Sequence, residues 1–426
     1  MRLGWITFAF AFAFACDDAH VEQPDPCSSE TEFCEPIPAN SVPCTDATPW
    51  PQKLESSEIP VTVHYSTRAD EPVASDVMAL LEVAWRVEVD ELGFSPPIAD
   101  DGNCGEDDRY DVFVWRGSEE SYVEAILDVP ETVHDDWITY MVVDPWGPFG
   151  GDRLASTIAH ELNHALVASD DWWESPLVFE MTATFMEEVV FPDANEYLFT
   201  LEDFQTRADW SVTRSDDWDT WYMYGASLYL QFLRKRYFDG DASFAARMWR
   251  LSRSDPNENE PDYLDALETI LAERNATVAT SVVEFARWRW YTGTRDDGRH
   301  FGDGALFPPE ATVPTSATIE AGSELVLPVS PMHLGSVYLE VTRAQDAPTS
   351  MQLSMESVAS DVDWVAQLVP GNDGSDGDPL DLGSGFAVLD MSQSSRRTLI
   401  LTPLASAGED PDEPSERRFG ATVSLQ

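Results

Sequence analysis

The chain has very little positive charge. It carries 25 Lys and Arg residues against 78 Asp and Glu residues, which gives a formal net charge of −53 at pH 7. Lys53 and Lys235 are its only lysines. A surface of this charge repels nucleic-acid phosphates and anionic lipid headgroups, so neither is expected as a partner. The hydrophobic share of 43% is nevertheless ample for a core, which excludes a disordered acidic chain.

Long apolar runs are also scarce. Residues 5–15 form one behind Arg2, but it is shorter than the roughly 20 residues that a membrane-spanning helix needs. The run is typical of a secretory signal. The end of this segment has two interpretations. Cys16 could be lipidated after signal cleavage, although the Leu that is usual three positions before such a cysteine is absent, or the signal could be removed by ordinary cleavage after Ala15. Both predict export, either as an outer-membrane or cell-surface lipoprotein or as a secreted protein, with membrane contact only through a lipid on Cys16.

Cysteine is limited to 5 residues, and none of them forms the C-x-x-C pair of structural zinc sites. Removing Cys16 leaves an even set in an exported chain, which predicts two disulfides with three possible connectivities. The four remaining residues are Cys27, Cys34, Cys44 and Cys104.

Histidine is equally rare, yet two of the 7 residues fall in one motif, HELNH at 160–164. The four-residue recurrence of apolar side chains around it predicts an amphipathic helix. Residues four apart lie on one helix face, so His160 and His164 can hold one zinc ion at distances of about 2.1 Å. Glu161 is then positioned to act on a metal-bound water, and this is the motif of the zincin metallopeptidases. The alternative is a surface helix with two ordinary histidines.

A catalytic zinc site needs a third protein ligand. Glu180 is the first candidate, because it lies among apolar residues of a helix predicted to start at Ser175 and Pro176, where a carboxylate is costly to bury unless it is paired or bound to metal. Asp170 is the rival, six residues after His164. Metzincin-type proteases take their third ligand at that offset, and they need Gly three residues after the second His so that the chain can turn back sharply to the metal. This chain has Val167 at that position. Glu180 is therefore preferred, with solvent exposure as its alternative.

The motif and Glu180 together resemble the gluzincins, in which a Glu on a following helix completes the zinc site. Glu180 follows His164 by 16 positions, a shorter spacing than in the thermolysin and aminopeptidase types. Residues 179–188, FEMTATFMEE, look more like predicted secreted metalloproteases of myxobacteria, as do YDVFV at 110–114 and YGAS at 224–227. The resemblance covers roughly residues 58–290 and implies a catalytic type but no substrate.

The predicted fold class is α+β. A zincin-like catalytic domain, with a mixed-sheet lobe and a helical lobe, is expected to precede a C-terminal β-sandwich. The strand at 137–144 is expected at a sheet edge, where a peptide could add. Residues 372–378 could supply oxygen ligands for Ca²⁺, although a solvated turn fits them better. The expected segments are a signal peptide at 1–15, a tether at 16–56, the catalytic domain at 57–308 and the sandwich at 309–426.

The predicted function is zinc-dependent hydrolysis of peptide bonds in a protein or peptide substrate. Glu161 is the expected general base. Tyr224 is a candidate donor to the oxyanion, although packing among neighbouring aromatic residues explains it equally well. His134 and His300 are possible donors too, but the sequence does not place them, and Asn163 is expected at the surface.

A second function remains open, that of a non-catalytic cell-surface binding protein with a vestigial or structural zinc site. Glu161 argues against it, because a purely structural site gives that residue no role. The sequence does not predict the oligomeric state.

Overall fold

A computed structural model describes most of the chain. The described residues are 41–44, 49–118, 120–129, 132–215, 219–256, 259–369, 379–380, 382, 386–392, 394–405 and 417–426. The expected signal peptide, Cys16, Cys27, Cys34 and the calcium candidate at 372–378 lie outside them. Within the described part of the chain, no helix combines the length and the apolar character needed to cross a membrane.

The fold begins with a five-stranded mixed sheet. Its strands are β1 (Gln52–Glu55), β2 (Val61–Tyr65), β3 (Tyr110–Val114), β4 (Tyr122–Asp128) and β5 (Trp137–Val143). They lie in the order β1-β2-β3-β5-β4. The pairs β2–β3 and β3–β5 are parallel, whereas β1 and β4 pair antiparallel with their neighbours.

The expectation that the strand at 137–144 is an edge strand is wrong. β5 lies between β3 and β4, and β4 forms the edge. The sequence interpretation missed β4, which pairs with β5 through an irregular register between Ala125 and Leu127. Such a bulge interrupts the period-2 alternation by which a strand is recognised. The side chains of β4 are mostly half-buried, as expected for an edge strand beside a cleft.

The sheet also begins earlier than the sequence-based boundary at residue 57. β1 lies inside the segment expected to be a tether, and the buried Trp50 donates a hydrogen bond from Nε1 to the carbonyl of Val114. A disulfide joins Cys44 to Cys104. These two contacts hold the approach to β1 against the outer face of the sheet. The disulfide agrees with the predicted export of the protein.

The described residues contain nine α-helices. The first lies between β2 and β3, and the other eight follow β5 and precede the C-terminal strands. The nine are α1 (Glu71–Trp85), α2 (Leu154–Val167), α3 (Pro176–Val190), α4 (Leu201–Thr206), α5 (Tyr222–Gly225), α6 (Ser227–Tyr237), α7 (Ser243–Ser252), α8 (Tyr263–Ala272) and α9 (Val278–Trp290). A π-helical segment, Arg86–Glu91, extends α1. The helix α2 contacts α1, α3 and strands β4 and β5.

The C-terminal region forms two sheets packed face to face. The first has the order β11-β10-β13-β8-β6 and the second the order β12-β9-β14-β7, and buried residues of both form one apolar cluster. The strands are β6 (Ala317–Glu320), β7 (Glu324–Val326), β8 (Val337–Thr342), β9 (Ser350–Ser357), β10 (Val362–Val369), β11 (Pro379–Leu380), β12 (Ala387–Asp390), β13 (Arg396–Ala405) and β14 (Ala421–Leu425).

The sandwich packs directly on the helical region. The hydroxyl of Tyr338 donates to the carbonyl of Ala286 at 2.6 Å, and Gln367 Nε2 donates to the carbonyl of Val283 at 2.7 Å. Both acceptors lie on α9. The protein is therefore a mixed fold with a helix-rich half and a β-rich half, which is compatible with the predicted α+β class.

Candidate metal centre

The helix α2 is held by its apolar face. Ile158, Leu162 and Leu166 recur every four residues and are completely buried, so the helix packs with one side on the sheet and on α1. This packing leaves His160 and His164 on the side that faces Glu180 of α3. The helix α3 starts at Pro176 after Ser175, and Pro at the first helical position is favoured because it lacks an N–H.

The two helices bring three donor atoms together. Glu180 Oε2 lies 3.3 Å from His160 Nε2 and 3.7 Å from His164 Nε2. The three atoms lie within 4.8 Å of one another. Distances of this size are compatible with one shared ion, since each Zn–N or Zn–O bond is about 2.0–2.2 Å. Glu180 is buried, with 5% of its surface exposed, so it does not face solvent.

An unpaired oxygen supports a metal at this position. Glu180 Oε2 is buried, and no donor among the described residues is aligned with it as a hydrogen bond. A buried carboxylate oxygen without a partner is costly, and a divalent cation between it and the two imidazoles would remove that cost. Two histidines and one carboxylate are also a ligand set that catalytic zinc sites use, leaving the fourth position open. The residues present therefore fit zinc.

The charges of the cluster act on one another. Burial by itself would raise the pKa of Glu180, but the hydrogen-bonding contact with His160 and the electrostatic interactions with both histidines lower it. Burial by itself would lower the pKa of His160, but its contacts with Glu180 and Glu187 raise it well above the usual value. Burial lowers the pKa of His164 to about 4. The lowered pKa favours the neutral imidazole of His164, which is the form that binds metal, whereas His160 would release a proton when the metal binds.

Glu187 orients the first histidine. Its Oε1 lies 2.8 Å from His160 Nδ1, so the ring directs Nε2 towards Glu180. Seven residues separate Glu180 from Glu187, about two helical turns, which places both on one face of α3. The sequence analysis assigned Glu187 no role. Its seven-residue spacing from Glu180 is the signal that places it on the same face of α3, although not the signal that names its partner.

We expect Glu187→Gln to weaken zinc binding by about 10- to 100-fold, the usual cost of losing an outer-shell partner of a histidine ligand. The fold should persist, because the amide has the same shape. Competition with a chromophoric chelator measures the affinity. The matched control is Glu188→Gln, on the same helix but without a contact to His160, and an equal loss in both variants would contradict the assignment.

Glu161 lies beside the three donor atoms without being one of them. It is buried, and burial raises its pKa to about 8, while the positive charge of His160 acts in the opposite direction. The charges of Glu180 and Glu187 add to the increase. A carboxyl group whose pKa lies near the working pH is suited to proton transfer.

Tyr224 lies in the short helix α5 and contacts two of the three candidate ligands. Its ring stacks on His160 with centroids 5.8 Å apart, and its hydroxyl lies close enough to Glu180 to lower the pKa of that carboxyl group. Burial raises its pKa well above the usual value, so the phenol keeps its proton and can donate it in a hydrogen bond. The ring also packs against Trp221, with centroids 5.0 Å apart. The two roles left open by the sequence are thus compatible with each other.

Asp170, the rival ligand, lies elsewhere. Its Oδ1 accepts hydrogen bonds from Arg253 Nε and Ser95 Oγ, each at 2.8 Å, and its side chain is completely buried. This ion pair fixes the loop after α2 to the start of the segment after α7. Asp170 is not part of the donor group formed with the two motif histidines.

The expectation that Asn163 is a surface position is wrong. Its side chain has no exposed surface, and its Nδ2 donates to Glu88 Oε2 at 2.9 Å. The helix α2 is covered on this side by the end of α1, which the sequence pattern of α2 alone does not reveal.

Of the two unassigned histidines, His300 stacks on Tyr291 and contacts Asp297, and His134 is half-buried between β4 and β5.

Comparison with known proteins identifies no family. No family model matches the chain, and no curated protein matches it. Among solved structures, the chain has a partial likeness to PliG of Salmonella Typhimurium, a periplasmic inhibitor of g-type lysozyme. The likeness has 9% sequence identity, covers 26% of this chain and 99% of the inhibitor, and has a TM-score of 0.16. A TM-score this low carries no argument about fold or function.

Proposed function

We propose that the protein is a zinc-dependent peptidase that acts on protein or peptide substrates outside the cytoplasm. The observation that carries this proposal is the meeting of His160 Nε2, His164 Nε2 and Glu180 Oε2 around one point, with Glu161 and Tyr224 at its margin. Zinc bound there would supply a water of pKa about 7 and would polarise the scissile carbonyl.

In this proposal, Glu161 moves the proton. Its carboxylate accepts a proton from the attacking water and passes it to the leaving nitrogen, which is general base and then general acid catalysis. Its buried position keeps competing solvent away from this transfer. Burial raises the pKa of Glu161, so the carboxyl group holds the proton taken from the water more readily than an exposed one would.

Tyr224 and β4 would hold the substrate. The Tyr224 hydroxyl is a protonated donor beside Glu180, placed to stabilise a developing oxyanion. The edge strand β4 lies against α2, so an extended peptide could pair with its free backbone groups and reach the cluster. Half-buried side chains along β4 leave that edge accessible.

Zinc content and hydrolysis test the proposal together. The purified protein should bind about one zinc per chain, measured by mass spectrometry, and should cleave casein. A chelator should abolish the cleavage, and added zinc should restore it. A protein that takes up zinc but cleaves no protein or peptide would support the binding-protein alternative, and one that takes up no zinc would refute the metal site itself.

Tyr224→Phe separates the two roles of the tyrosine. If the hydroxyl stabilises the oxyanion, kcat should fall by about 10²- to 10³-fold, whereas KM and zinc content should change little. If the residue only packs against Trp221 and His160, the ring is retained and kcat should stay near the wild-type value. Steady-state kinetics on one peptide decide between these outcomes.

Export is supported by the disulfide between Cys44 and Cys104. Lipid attachment at Cys16 stays a prediction, because that residue lies outside the described part of the chain. Labelling with a fatty acid, compared between the wild type and Cys16→Ser, would decide between an anchored and a freely secreted protein.

A further inference from the structure

A second buried contact reaches the HELNH motif from the segment that extends α1. Glu88 lies in the π-helical segment Arg86–Glu91, and Asn163 lies in α2 between the two motif histidines. Neither side chain has exposed surface. Asn163 Nδ2 donates to Glu88 Oε2 at 2.9 Å. Single π-helical turns of this kind are rare and occur frequently at functional sites.

Two acceptor atoms of this contact lack donors. Glu88 Oε1 and Asn163 Oδ1 are both buried without a hydrogen-bond partner in the described part of the chain. An ionised carboxylate only accepts hydrogen bonds, whereas a protonated one also donates. A proton on Glu88 Oε1 would turn that oxygen into a hydrogen-bond donor. The acceptor that lacks a donor is Asn163 Oδ1, which belongs to the same amide that already donates to Glu88.

No cation compensates a charge on Glu88 from its own segment. The charged neighbours Arg86, Asp90 and Glu91 are exposed. From α2, His160 is the titratable group that acts on Glu88, and the carboxylates of α3 contact that histidine instead. Burial is the largest effect, and it raises the pKa of Glu88 to about 8, against the hydrogen bond from Asn163.

We propose that Glu88 is protonated in the folded protein and forms a doubly hydrogen-bonded acid–amide pair with Asn163 that fixes the rotation of α2. Asn163 is one residue before His164 and three after His160, so a rotation of the helix at Asn163 would move both imidazoles. Glu88 is thus a positioning residue for the ligands, held on a different helix. Only this consequence for the ligands rests on the proposed function, since the pair itself is independent of it.

The direction of the pH dependence follows from the shift. The pKa of Glu88 is raised from 4.5 to about 8 on folding, so the folded state holds this proton more tightly than the unfolded state. The contribution of the pair to stability is complete below about pH 4.5 and is lost progressively as the pH rises to about 8. Above that pH both states have lost the proton, and the contribution no longer changes.

Glu88→Gln tests the pair, because a glutamine amide can form both hydrogen bonds but cannot titrate. Between pH 5 and 8, Tm of the wild type should fall more steeply than Tm of this variant. The matched control is Glu91→Gln, three residues along the same segment and exposed, which should keep the wild-type slope. Parallel Tm profiles of the wild type and Glu88→Gln would overturn the proposal.

Infrared spectroscopy tests the proton directly. The difference spectrum between the wild type and Glu88→Gln at pH 6 should contain the carbonyl band of a buried carboxylic acid, and a carboxylate band in its place would overturn the proposal. Neither measurement uses catalysis or metal, so both remain decisive if the protein proves not to be a peptidase.

Cobalt binding tests the positioning role. Glu88→Gln should keep the Co²⁺ affinity and visible spectrum of the wild type. Asn163→Leu should change the spectrum and weaken binding by about 10-fold or more, the usual cost of losing an orienting partner. An unchanged cobalt spectrum in a folded Asn163→Leu would refute the positioning role. Should that variant not fold, Glu88→Leu, which removes both hydrogen bonds from the other partner, replaces it, and an unchanged cobalt spectrum there would refute the positioning role.

Discussion

Glu161→Gln should bind zinc with wild-type stoichiometry and melt at the same temperature or higher, yet lose peptidase activity by about 10²- to 10⁴-fold. The physical reason is that glutamine has the shape of glutamate but cannot accept the proton of the attacking water. Removing a carboxyl group whose burial raises its pKa to about 8 also removes a cost of burying charge. Mass spectrometry, thermal melting and kcat/KM on one peptide measure the three quantities.

The control for this variant is Glu202→Gln, an exposed position at the start of α4, which should retain full activity. A zinc-loaded Glu161→Gln protein with wild-type turnover would rule out Glu161 as the base. Loss of zinc together with activity would show instead that Glu161 helps to hold the metal, and the assignment of roles within the motif would then be wrong.

Glu180→Gln should lose the metal. Among the described residues, Glu180 supplies the carboxylate oxygen that lies near both histidines, and two histidines alone do not hold a catalytic zinc. The affinity should fall by more than the roughly 10- to 100-fold that is typical of an outer-shell residue. Competition with a chelator and the zinc content after dialysis measure the change, and activity should fall in parallel.

Asp170→Asn should have the opposite pattern. Asp170 is buried and pairs with Arg253 and Ser95, so its loss should lower the free energy of unfolding by about 1–3 kcal/mol. Zinc affinity of the folded molecules should be unchanged. Urea unfolding and chelator competition on both variants form a cross-check. A metal-free Asp170→Asn beside a zinc-replete Glu180→Gln would reverse the ligand assignment.

The elements that the sequence predicted well have strong local patterns. Apolar residues every four positions around HELNH predict α2, and Pro176 behind Ser175 predicts the start of α3. The alternating strands of the C-terminal half likewise appear in the structure as two packed sheets. In each case the periodicity of burial is readable from one segment alone. Strand β4 was missed because its bulge disturbs that periodicity.

In the candidate site, too, the sequence predicted the features that depend on local geometry. The sequence by itself determined which residues share the motif helix, and it favoured Glu180 on the next helix over Asp170, whose turn is not favoured at Val167. These conclusions depend on helix geometry and backbone preference, which act over a few residues. The burial of Glu180 was decided by the structure. Zinc binding and catalysis stay predictions that the experiments above test.

Only the tertiary structure decided the partners of those residues. Glu187 meets His160, Arg253 meets Asp170, and Glu88 meets Asn163 across separations of 27, 83 and 75 positions in the chain. Each contact depends on how two elements are rotated and placed against each other. That arrangement is set by the packing of the whole apolar core, so the local pattern around any one of these residues carries no record of its partner.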